Sequence, residues 1–151
     1  MMDLITTRKA NIADLAALSV LFDGYRVFYK KPTDIEGAQQ FLKERMENKG
    51  SEIFVAVNTQ QQLTGFVQLY PLFSSTRMKR LWLLNDLFVD EHYRGQGISV
   101  ALINAAKALC IQSGSCGMML ETAKSNLVGN NLYHKTSFTL DDEHNYYYWD
   151  A

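Results

Sequence analysis

Residues 93–99 read YRGQGIS and follow directly on an apolar run that ends LFV. The run has the look of a strand and the residues after Gly97 have helical spacing, so Arg94, Gly95 and Gly97 stand at a strand-to-helix joint. The joint is suited to chemistry with anions. A helix that begins there points unpaired N–H groups and the positive end of its dipole at the loop. Two glycines let main chain approach a ligand with no Cβ in the way. Arg94 adds a fixed charge that meets phosphate oxygens with paired hydrogen bonds. A pyrophosphate suits this arrangement, although spaced glycines at such a joint also serve as plain turn residues. Two common phosphate motifs are absent: there is no GxGxxG after a first strand and no GxxxxGK[ST].

Other chemistry-bearing residues are sparse. Cys110 and Cys116 lie six apart and His92, His134 and His144 are scattered, so no metal site is expected and both thiols read as reduced packing residues. Asp86 sits inside the apolar stretch LWLLNDLFV, with Asn85 directed to the opposite face by strand alternation. The net charge of −1 and the lack of any basic run longer than KK argue against a nucleic-acid partner. The start, MMDLITTRKANIADL, lacks the apolar stretch of a signal peptide. No run reaches the ~20 apolar residues of a spanning helix. A cytoplasmic location away from membranes is therefore expected.

The elements that must position these residues form one unit. A chain of 151 residues suits a single domain, 1–151, and no linker or repeat divides it. A first strand is expected around Ile5 and Thr7. Asn11 then caps a helix carrying Ile12, Leu15, Leu18, Leu21, Phe22, Tyr25 and Phe28. Pro32 interrupts, and a second helix is expected over 35–48 with Gly50 as its stop. EIFVAVN and LTGFVQLYPL read as a hairpin and LWLLNDLFV as the next strand. A helix from about Gly97 to Gln112, a short strand at GMMLET and a helix over 126–136 follow, and SFTLDD and NYYYWDA are read as two closing strands. The resulting order, β-α-α-β-β-β-α-β-α-β-β, predicts an α/β (α+β) mixed sheet with a parallel crossover between residues 81 and 122.

With the elements placed, YRGQGIS resembles the acetyl-CoA signature [QR]xxGx[GA] of the GNAT superfamily of N-acetyltransferases. Arg94, Gly97 and Ser99 hold its marked positions, with Ser99 in place of Gly or Ala. A second stretch, NLVGNNLYHKTSF at 126–138, resembles the family pattern NxxAxxLYxxxGF. Asn126, Leu132, Tyr133 and Phe138 match, while Gly129 stands for alanine and Ser137 for glycine. The stretch LNDLFVDEHYRGQGI is most similar to the polyamine and histone-type branch.

The resemblance implies a GNAT-like fold and acetyl-CoA as cosubstrate. Main chain at Leu87, Phe88 and Val89 would hold the pantetheine arm as an added strand would. The amides of Arg94, Gly95, Gln96, Gly97, Ile98 and Ser99 would hold the pyrophosphate, and Asn126 and Tyr133 would meet the cofactor from the following helix. The implied reaction is acyl transfer to a primary amine, such as a polyamine-like molecule or a protein lysine or N-terminus. Tyr133 would be the acid for the departing thiolate. Asp86, or an ordered water, would take the amine proton, since Asn85 holds the place of a glutamate in the related EDxxV pattern. Tyr25, Phe28 and Tyr29 are read either as core or as aromatic flanks for a cationic acceptor. NYYYWD points to packing or a homodimer contact. The alternative is a non-catalytic acyl-CoA-binding sensor, which would not need Tyr133.

Overall fold

A computed structural model describes residues 4–151, which form two compact units, one ending at Glu121 and one running Thr122–Ala151. The first holds five strands, β1 (Thr6–Lys9), β2 (Glu52–Val57), β3 (Leu63–Ser74), β4 (Lys79–Val89) and β5 (Met118–Met119). They lie in the sheet in chain order. β1 to β4 pair antiparallel, as neighbours joined by short turns or by the helical pair should. β5 returns parallel to β4 after the helix between them, as the crossover reading requires.

Three helices of this unit follow from local chemistry. Asn11 and Asp14 form a capping box on a 3-10 turn that leads into α1 (Leu15–Phe28), and Arg8 grips Asp14 with bonds of 2.7 and 2.8 Å. Asp34 caps α2 (Ile35–Glu47) by accepting from the Gly37 amide at 2.9 Å. α3 (Ile98–Gln112) starts at Gly97. Strand alternation then sorts the packing. Phe66 joins Leu18, Leu21, Phe22, Leu42, Val55 and others in a cluster under α1 and α2. The preceding residue, Gly65, faces α3: a Cβ there would sit 2.8 Å from the Phe88 carbonyl oxygen and 3.3 to 3.4 Å from Leu102 and Ile98. Gly65 therefore lets α3 settle close onto β3 and β4.

The second unit contains α4 (Leu127–Lys135), capped by Asn126, whose side chain accepts from the Gly129 amide. A Cβ at 129 would run into the Asn126 amide group, which accounts for glycine at this position. Among the described residues all four α-helices end alike. The residue after the C-cap turns left-handed, at Lys30 (φ 63), Lys49 (φ 51), Gly114 (φ 66) and Ser137 (φ 72). The amide after it reaches back five residues to a helix carbonyl, as from Lys31 to Arg26, Gly50 to Arg45, Ser115 to Cys110 and Phe138 to Tyr133. This is the Schellman closure.

Three expectations need correction. The stop of α2 is made by Lys49, with Gly50 one position beyond the left-handed residue. The two closing strands are also absent. Among the described residues no strand follows Met119, and SFTLDD and NYYYWDA are irregular and largely exposed. The cause is local: the Asp141 carboxylate accepts from the amides of Glu143 and His144 and from the Tyr146 hydroxyl, folding the chain into a side-chain turn that competes with a ladder. The strand read at GMMLET shrinks to Met118–Met119.

Candidate active site

The site begins with a fault in the sheet. Gln68 pairs with Asp86 but its neighbour Leu69 pairs with Leu84, so Asn85 is an extra residue bulged out of β4. Asp86 shares the α1-facing side of the sheet with Phe88, because Phe66 pairs with Phe88 and Gln68 with Asp86. Asp86 is 5% exposed and Gln68 fully buried. The Gln68 amide donates to Asp86 Oδ2 at 2.6 Å while its oxygen accepts from Ser51 Oγ at 2.8 Å. Asn85 Nδ2 donates to Oδ1 at 3.0 Å. Tyr25 of α1 donates to the Asn85 carbonyl at 3.3 Å. Burial pushes the Asp86 pKa up, and its hydrogen-bond donors pull only partly the other way. Next to it Tyr70 is pushed up to about 12, by burial first and by the Asp86 charge second.

β4 is also open on its far side. Its ladder with β5 holds two pairs, Trp82 with Met118 and Leu83 with Met119. Leu87, Phe88 and Val89 lie beyond the last of them and are half-buried. The loop that follows carries Gly95 and Gly97, both at φ 78, with open space where a Cβ would go. Glycine is needed here for the backbone angle. No side chain caps α3 at Gly97, so its first amides face the loop. Ile98 is buried and contributes main chain, whereas Ser99 is half-buried. Gln96 Oε1 is buried with no hydrogen-bond partner. An amide oxygen only accepts, so a ligand N–H or O–H would satisfy it.

Arg94 does not lie along the loop amides. Its Nε donates to the Val89 carbonyl at 3.1 Å, and its guanidinium sits 5.6 Å from the centre of the Phe88 ring and 5.9 Å from that of Phe28. The loop's anion-binding capacity therefore rests on main chain and dipole, with Arg94 close by at the end of β4.

In the second unit the two expected residues hold defined places. Asn126 Nδ2 donates to Thr122 Oγ1 at 2.9 Å and Oδ1 accepts from Gly129, so the cap leaves one hydrogen and one lone pair for a ligand. Tyr133 is the residue whose carbonyl closes the α4 cap, and its ring stacks edge-on against Phe138 at 5.7 Å. The LYxxxSF spacing is thus the Schellman motif itself, with its usual apolar contact.

Sequence reasoning missed Gln68 and Ser51. The available signal was a lone glutamine in the apolar run FVQLY, because a polar residue at a core position needs a partner. Among the described residues no three His, Cys, Asp or Glu side chains converge as metal ligands, and Cys110 and Cys116 are free thiols.

Residues 18–138 match the acetyltransferase (GNAT) family. The chain is 42% identical over 134 residues to "Uncharacterized N-acetyltransferase YhfO" of Bacillus subtilis, covering 89% of each. It is 35% identical over 117 residues to a "Probable acetyltransferase" of Haemophilus influenzae, covering 78% of this chain and 80% of that one. A crystal structure of a probable acetyltransferase superposes with a TM-score of 0.92 at 33% identity over 97% of both chains.

Proposed function

The chain belongs to the acetyltransferase (GNAT) family and is an acetyltransferase of that type, and from that premise we propose that it transfers an acetyl group from acetyl-CoA to a primary amine of cationic character. The observation that carries the proposal is the joint after β4: an open strand edge, two left-handed glycines and an uncapped helix start in succession. An extended pantetheine arm can add to the edge, and a pyrophosphate matches the amides from Arg94 to Ser99. The orphan oxygen of Gln96 supports a ligand that brings a donor as well as phosphates.

Acetyl-CoA supplies an activated acyl carbon and a thiolate leaving group. Asp86 takes the proton that the amine must lose, and its raised pKa brings it nearer to neutral operation. Tyr133 is the acid for the leaving sulfur and Asn126 contacts the cosubstrate from the start of α4. The family match runs from residue 18 to 138, through both compact units, which supports reading 1–151 as a single N-acetyltransferase domain.

The exposed rings of Phe28 and Tyr29 support a cationic acceptor. The row Tyr146, Tyr147, Tyr148 and Trp149, each at least 59% exposed, supports a homodimer. No helix among the described residues is long and apolar enough to cross a membrane, and a cytoplasmic location is part of the same reading.

The test is an amine panel with free CoA as readout, comparing polyamines, amino acids, aminoglycosides and a lysine peptide. Turnover is expected to be highest on an acceptor with cationic character. Acetyl-CoA binding without turnover on any amine would favour an acyl-CoA sensor, and no binding at millimolar acetyl-CoA would refute the site.

A further inference from the structure

We infer that Gln68 is a positioning residue for the transfer: held from behind by Ser51, its amide fixes the direction in which the Asp86 carboxylate presents its lone pairs. The inference rests on the acetyl-transfer reading above, in which Asp86 accepts the amine's proton. The sheet register builds this chain of side chains. Ile53 pairs with Gln68 and Gln68 with Asp86, so the three form one row on one face of β2, β3 and β4. Alternation carries the same face back from Ile53 to Ser51, one residue before β2. The hydrogen bonds follow the row. Ser51 Oγ donates to Gln68 Oε1 at 2.8 Å, and Gln68 Nε2 donates to Asp86 Oδ2 at 2.6 Å.

The amide has one workable orientation. Turned by half a rotation, it would set Oε1 against a carboxylate oxygen, acceptor facing acceptor. Gln68 is fully buried, so no water would relieve that contact. Asp86 has a second donor, Asn85 Nδ2 at 3.0 Å, but Asn85 is an exposed residue on the bulge. Of the two donors, the buried and doubly bonded Gln68 is the one that sets the carboxylate's direction. Direction matters because Asp86 is 5% exposed. A base so enclosed cannot swing out to meet a substrate, and its oxygen must already point where the proton arrives. Apolar side chains at these places would fill the core without the cost of burying polar groups, so the network is better explained by the carboxylate it ends on than by packing.

The same bond acts on charge. Burial favours the neutral acid, and the Gln68 donor favours the carboxylate that can accept a proton. The titratable groups on this side are Tyr25 of α1, at the Asn85 carbonyl, and Tyr70 of β3, on which the charges of Asp86 and of Arg45 from α2 act with opposite sign. In the transfer the amine nitrogen bonds the acyl carbon, the C–S bond breaks and the amine's proton goes to Asp86. Asp86 later gives this proton to solvent and the thiolate takes one up, so the protons balance.

Two measurements on the full chain test the inference. The first is the pH profile of kcat/KM, with acetyl-CoA affinity measured alongside. Gln68→Met keeps the length and removes the donor, and Gln68→Glu keeps the shape and puts a second carboxyl where the donor stood. Each should lower kcat/KM about tenfold or more at pH 7 with acetyl-CoA affinity unchanged, and should move the acid side of the profile to higher pH. Ser51→Ala, at a half-buried position, should shift the profile the same way by less, and it carries the test should the Gln68 variants not fold. In an Asp86→Asn background Gln68→Met should add little further loss, because it acts through Asp86. The second measurement needs no turnover: the Asp86 carboxyl, followed by carbon-13 NMR, should titrate at higher pH in Gln68→Met. An active wild type whose variants keep its rate and acid limb overturns the positioning role alone. So does an unmoved Asp86 titration, or a Gln68→Met loss that is undiminished in the Asp86→Asn background. A wild type inert on every amine overturns the acetyl-transfer reading and the positioning role with it.

Discussion

Replacing the left-handed residue at three helix ends with glycine should stabilise this protein in steps. Lys30, Lys49 and Ser137 close α1, α2 and α4 at φ 63, 51 and 72, and each carries a side chain in a conformation that suits glycine. A Cβ in that region costs about 1–2 kcal/mol. Glycine removes the cost but loses about 0.5–1 kcal/mol more chain entropy on folding. The net gain is about 0.5–1 kcal/mol per site, and about 2 kcal/mol for the triple variant if sites on three different helices add. For a chain of this length that is a rise of about 4–8 °C in Tm.

Gly114 supplies the reverse experiment. It closes α3 at φ 66 with open space around its missing Cβ, so Gly114→Ala tests the backbone angle without steric conflict. It should lose about 1 kcal/mol or more. Urea midpoints and calorimetry on the three single variants, the triple variant and Gly114→Ala measure the series. A triple variant no more stable than the parent, together with a neutral Gly114→Ala, would refute the reasoning, since it would mean these ends do not hold the left-handed turn in solution.

Asp86→Asn should impair transfer and change the pH dependence of Tm. Burial raises the folded pKa of Asp86, so this group's contribution to stability is present below the ordinary carboxylate pKa and lost as pH rises through the folded value. The parent should therefore gain stability relative to the Asn variant as pH falls through the raised folded value towards about 4, with no further change below that; a Tm difference that does not change with pH would contradict this. Gly97→Ala should weaken acetyl-CoA at least about tenfold by calorimetric titration while the protein remains folded, because it disturbs the backbone angle at the start of α3 (φ 78). An unchanged affinity would move the pyrophosphate away from these amides.

Much of this protein was legible along the chain because the relevant physics is local. Capping by Asn11, the helix over 35–47 and the strand-to-helix joint at 94–99 each depend on residues within one or two turns of one another. Tyr133 and Phe138 were singled out through resemblance to a family pattern, and the LYxxxSF spacing proves to be a complete helix closure as well. The closing strands failed for a related reason: alternation and aromatic content favour a ladder but supply no partner strand, and Asp141 offers its neighbours' amides a nearer acceptor.

What only the tertiary structure decided are contacts between residues distant in sequence. Gln68 meets Asp86 across 18 residues and Tyr25 meets the Asn85 carbonyl across 60. The bulge that displaces Asn85 is a property of two strands in register, which neither strand's composition specifies. The rise in the Asp86 pKa comes from burial under α1, and a sequence names a carboxylate without stating how much water it keeps.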